Sequence, residues 1–130
     1  DQFYVSAKQY HRIWKVYRKV KFIITDSPLL LGLIYGEYLP SFSRFLLDTH
    51  DCMNTYNILV HRSKPYVPNG RLQTASEARE CDEKIMTLLW DNKIPFHHFY
   101  DYGDEEGHRI LMHQIMNHYD CGDLYADPTA

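Results

Sequence analysis

A chain of 130 residues with 45% hydrophobic and 24% charged side chains fits one globular domain with its own core and excludes a disordered segment. Its formal charge of −3 weakens the case for general nucleic-acid binding. The longest apolar run, Pro28 to Tyr35, is too short to span a bilayer, so a cytoplasmic protein without a signal peptide or membrane partners is expected.

From Phe3 to Val20 the apolar residues Phe3, Ala7, Tyr10, Ile13, Trp14 and Tyr17 recur at three- and four-residue steps, predicting a helix with one buried stripe. Its other face carries Lys8, Arg12, Lys15, Arg18 and Lys19, either a solvated face or a phosphate-facing one. Lys21 to Thr25 reads as a first strand. Leu29 to Tyr35 reads as a short helix opened by Pro28. Ser41 can cap a helix running to about Met53, with Phe42, Phe45, Leu46 and Thr49 inward.

Thr55 to Val60 reads as a second strand. The polar stretch from His61 to Gln73 is a long loop, and loops of that length without structure of their own tend to be functional lids, here over residues 61–80. Thr74-Ala75-Ser76-Glu77 is a capping box opening a helix to about Asn92, with Ala78, Cys81, Ile85, Leu88 and Leu89 inward. Ile94 to Tyr100 reads as a third strand, and Asp104 or Glu105 starts a last helix. The tail, residues 120–130, has no periodic pattern and is expected to be loosely held. Strands alternating with helices predict a single α/β domain over residues 1–130, a parallel sheet flanked by helices.

Two constellations could carry chemistry. The run Phe22-Ile23-Ile24-Thr25 ends in Asp26-Ser27-Pro28, as a buried parallel strand does when it delivers a carboxylate to the ligand-binding edge of a sheet. Asp26 there can hold Mg²⁺ or accept a proton from an attacking hydroxyl, with Ser27 assisting, although Asp-Ser-Pro is equally good turn chemistry. Arg62, Lys64 and Arg71 surround two prolines and Gly70 on the long loop, and Arg79 follows one turn into the next helix. Mobile cations of this kind neutralise charge in phosphoryl transfer, while a solvated basic loop is the plain alternative.

The histidines point the other way. His108, His113 and His118 are spaced by five, a rotation of about 140° per step on a helix, and His97 and His98 face opposite sides of a strand. Neither set can share a metal ion, and the scattered Cys52, Cys81 and Cys121 argue against both zinc and a disulfide framework.

Ile23-Ile24-Thr25-Asp26-Ser27-Pro28, Asn57-Ile58-Leu59-Val60 followed by Arg62, Lys64-Pro65-Tyr66, and Gly70-Arg71 leading into Thr74 and Glu77 together resemble the latter two-thirds of a phage-type AAA-family P-loop ATPase. That family is similar to the ribosylnicotinamide-kinase domain of the bacterial NAD-biosynthesis regulator and to thymidylate and deoxynucleoside kinases. The resemblance covers roughly residues 2–118. It implies a kinase-type P-loop fold, ATP and Mg²⁺ as cofactors, a nucleoside or nucleotide substrate, and a host-cell cytoplasmic location. Asp26 would match the acid after the second nucleotide-site strand and bind the metal. Arg71 would match the cationic lid, with Ser27, Arg62, Lys64 and Arg79 on the nucleotide.

The family's Gly-x-x-x-x-Gly-Lys-Ser/Thr loop has no counterpart in this sequence, and with it goes the strand that the family places between those matching Lys21–Thr25 and Asn57–Val60. The chain opens on Asp1 rather than Met, so a processed, truncated or partly observed product is expected. The alternative is a non-catalytic binding module derived from such an ATPase, gripping a protein partner or a second copy of itself.

Overall fold

A computed structural model describes residues 1–35, 39–61 and 74–120. These divide between two compact units, one drawn from Asp1–Thr55 and Ser76–Asn92, the other from the described parts of Tyr56–Ala75 and Lys93–Ala130. The chain is mixed α and β, with a small parallel sheet. No helix among the described residues is long and apolar enough to cross a membrane.

In the first unit, α1 (Gln2–Val16) starts at Asp1, whose carboxylate accepts a hydrogen bond from the Tyr4 amide at 2.8 Å. It stops short of Val20 because Tyr17 swings to an extended ψ of 129° and Arg18 to a left-handed φ of 66°, a turn closed by the Lys19 amide on the Val16 carbonyl at 2.9 Å. A 3₁₀ turn (Leu29–Leu31) leads into α2 (Gly32–Tyr35), and α3 spans Pro40–Asp51. Ser41 does not cap α3. Leu39 holds the cap position and Pro40 the first turn, where a proline loses no hydrogen bond.

Leu29, Phe42 and Leu46 form the core cluster, with Tyr10, Ile13 and Leu33 packed against it. Leu46 is fully buried, so truncation to alanine should cost about 2–5 kcal/mol. The expected stripe on α1 is rotated. Ser6 is its buried residue, while Phe3 and Trp14 stay 51% and 39% exposed. A small side chain suits the centre of this contact, because a Cβ added at Gly32 would lie 2.9 Å from Ser6 Oγ and 2.8 Å from Leu46 Cδ1. The large rings flank it instead, Phe3 against Phe42 at 4.3 Å and Tyr10 against Phe45 at 5.4 Å between centroids. The other helix of this unit, α4 (Ala75–Asp91), buries Ala78 and Leu89, two of its expected inward residues.

The second unit holds β1 (Ile58–His61), β2 (His97–Tyr100) and α5 (Glu105–His118). The strands pair in parallel with Ile58 opposite His97, Leu59 opposite His98, Val60 opposite Phe99 and His61 opposite Tyr100. Parallel pairing needs a crossover rather than a hairpin, and the connection between them contains α4. Rings of α5 reach one face of the pair: His118 meets Tyr56 at 4.8 Å and His108 lies 6.1 Å from Phe99.

The expected strand at residues 21–25 does not form. Residues 22–25 join no ladder among the described residues, and Ile24 is 95% exposed. A strand is a paired object, and a β-branched run without a neighbour supplies propensity but no hydrogen-bond partner. The sheet of the described residues therefore has two strands where three were expected.

Candidate functional site

Asp26 lies in an exposed turn, not at the end of a strand. The Ser27 amide donates to Thr25 Oγ1 at 3.0 Å, closing a side-chain turn of the kind Ser and Thr favour. Ser27 Oγ donates to Asp26 Oδ1 at 3.4 Å. The local hydroxyls thus organise the turn and leave the carboxylate facing solvent. Arg79 is exposed on the second turn of α4. Arg62, Lys64 and Arg71 lie outside the described residues, as do most of the lid and the tail after Asp120.

A second group of polar side chains gathers on the small sheet. His61 and His98, 37 positions apart, meet through Nε2 and Nδ1 at 2.6 Å, one ring nitrogen donating to the other. The register explains this. Leu59 and His98 are opposite, as are His61 and Tyr100, so His61, His98 and Tyr100 share one face and the two imidazoles are diagonal neighbours. The Tyr100 ring stacks on His61 at 4.3 Å and 11°, and Phe96 meets His98 edge-on at 5.0 Å. On the other face Tyr56 stacks on His97 at 4.3 Å and 5°.

Beyond β2, Asp101 Oδ1 accepts from the Gly103 amide at 2.9 Å and from His108 Nε2–H at 2.9 Å. This is the acid that a parallel strand delivers to the carboxyl edge of the sheet. The run Phe96-His97-His98-Phe99-Tyr100 ends in Asp101 as the run from Phe22 ends in Asp26, with ring side chains in place of β-branched ones. An imidazole held by a carboxylate through one nitrogen has its other nitrogen oriented for proton or ligand contact.

A third arrangement sits at the end of α3, where His50 Nδ1 meets Asp51 Oδ1 at 3.0 Å and Nε2 meets Thr55 Oγ1 at 3.0 Å. A base between a carboxylate and a hydroxyl is the outline of a nucleophile site, but the Asp51 side chain is 74% exposed. It closes the helix end. The cleft between α1 and α3, lined by Phe3, Ser6, Tyr10, Phe42 and Phe45 among others, is too apolar to cradle phosphate. Among the described residues no group of three or more His, Cys, Asp or Glu side chains could hold a metal ion.

No family model, no curated protein and no solved structure matches the chain.

Proposed function

We propose that this chain belongs to an ATP-dependent phosphoryl-transfer protein of the P-loop type, acting on a nucleoside or nucleotide, with its phosphate-binding loop encoded upstream of Asp1. The observation that carries the reading is the parallel pairing of β1 and β2, two strands whose connection in the chain contains α4. Two parallel strands of four residues are too few for an independent sheet, and parallel sheets are normally covered on both faces. Ile23 and Ile24, β-prone residues that are exposed, are consistent with the same reading.

In this proposal Asp26 is the magnesium ligand, since Mg²⁺ is commonly held by one or two carboxylates together with substrate phosphates and water. A single solvent-facing carboxylate suits that mode and could not hold the ion alone. Arg71 neutralises charge on the transferring phosphoryl group, while Ser27, Arg62, Lys64 and Arg79 contact the nucleotide. ATP supplies the phosphoryl group. The chain's own residues bind, orient and exclude water.

The test is turnover of the complete product of the reading frame with Mg·ATP and a panel of nucleosides. Asp26→Ala and Arg71→Ala should each lower turnover by about 10²-fold or more, the usual loss on removing one electrostatic group from a closed site. ATP affinity should fall much less for Arg71→Ala, because a lid arginine acts mainly in the transition state. A reading frame without a Gly-Lys-Ser/Thr loop, or full activity in both variants, sinks the proposal and leaves the binding-module alternative.

A further inference from the structure

We propose that His61 and His98 form a two-imidazole site for a divalent transition-metal cation of the copper and zinc type, on the sheet face opposite the Tyr56–His97 stack. The inference rests on how the rings meet. Their centroids are 4.9 Å apart with planes only 22° from parallel, while the facing nitrogens are 2.6 Å apart. That combination places the nitrogens along the line joining the two ring centres. The contact is edge to edge, nitrogen to nitrogen, and not a face-to-face stack. Two imidazole donors therefore converge on one point from adjacent strands.

The point is occupied by one shared proton, or it can be occupied by a metal ion. Two nitrogens bound at about 2.0–2.1 Å to one tetrahedral ion lie about 3.3 Å apart, so a separation of roughly 0.7 Å admits it. The proton between the rings moves to the distal nitrogen of its own ring, and two neutral imidazoles present two lone pairs. No bond is broken and no electrons are transferred.

The surroundings choose the class of ion. Tyr100 stacks on His61 and Phe96 meets the edge of His98, so aromatic walls hold both rings. The ring contacts described around the pair are aromatic, and imidazole nitrogen suits Cu²⁺, Zn²⁺ and Ni²⁺ where Mg²⁺ and Ca²⁺ require oxygen. Copper should bind most tightly by the general order of divalent affinities. His98 is exposed, giving the ion a path in and room for water at its remaining positions.

The experiment is titration of the 130-residue chain with CuSO₄ and with ZnCl₂ in a non-coordinating buffer, followed by calorimetry and, for copper, by electron paramagnetic resonance. One site per chain with two-nitrogen coupling is expected. Affinity should fall at least tenfold in His61→Gln and in His98→Gln and stay unchanged in His97→Gln, whose imidazole is on the opposite face. Binding should weaken as the solution is acidified, because proton and metal compete for the same lone pairs. Should a variant lose its fold by circular dichroism, zinc titration of the wild-type chain followed by imidazole nitrogen resonances replaces it, and His61 and His98 should shift together. Equal affinity in His98→Gln, an equal loss in His97→Gln, or resonance shifts confined to other histidines would overturn the site.

Discussion

Ser6 and Leu46 occupy the same tight contact in the first unit and contribute to stability with opposite sign. Leu46 is fully buried and packs with Leu29 and Phe42. Ser6 is 1% exposed and its hydroxyl has no hydrogen-bond partner. A buried, unsatisfied polar group costs about 1–3 kcal/mol, and alanine is the better helix former. Ser6→Ala should therefore stabilise the chain by about 1 kcal/mol, raising the thermal midpoint by several degrees for a domain of this size. A lower midpoint by differential scanning calorimetry would show that the hydroxyl is satisfied in solution. Gly32 is constrained at the same place. Filling the space against Leu46 overpacks a core, typically at about 1–3 kcal/mol, which outweighs the gain of up to about 1 kcal/mol in helix propensity.

At the scale of the elements, what is local was legible and what is long-range was not. The helices followed from three- and four-residue periodicity, and α4 begins one residue into its capping box at Ala75. The strands around 58–61 and 97–100 followed from short apolar and aromatic runs, and their parallel pairing from the length of the connection. The stretch 21–25 carries an equally strong run, and nothing in its own residues says whether a neighbour is present. The histidine spacing speaks only for neighbours in sequence, whereas His61 and His98 meet through a register set 37 residues apart. Asp101 follows a run of rings with two histidines in it, and only the pairing of His97–Tyr100 marks it as a carboxylate at a strand end. The ladder itself should be fragile. Its strands are four residues long and Val60 and Tyr100 are 59% and 52% exposed, whereas α3 buries Phe42, Leu46 and Thr49. Hydrogen exchange should therefore find the amides of β1 and β2 less protected than those around Leu46 in α3. Equal protection in the two regions would mean that the sheet is covered in solution.

For the whole molecule, the proposal makes the 130-residue chain a poor ATP binder on its own. Three phosphates need a concave set of backbone N–H donors and a cation placed against them. Glycine makes such a cradle possible by letting the backbone approach, and the sequence has six. Gly32 and Gly107 lie within helices α2 and α5. Gly103 has a positive φ of 78°, yet its amide already donates to Asp101. Gly36, Gly70 and Gly122 fall outside the described residues and are too far apart in sequence to form one loop. The net charge of −3 adds no attraction for an anionic ligand. Calorimetric titration of the isolated chain with Mg·ATP should give no saturable binding at micromolar nucleotide, while the product carrying the upstream loop should bind. Tight, magnesium-dependent binding by the chain alone would remove the need for that loop and, with it, the P-loop assignment. If neither form binds, the parallel unit and its cationic loop serve a partner other than a nucleotide, and the binding-module reading takes over.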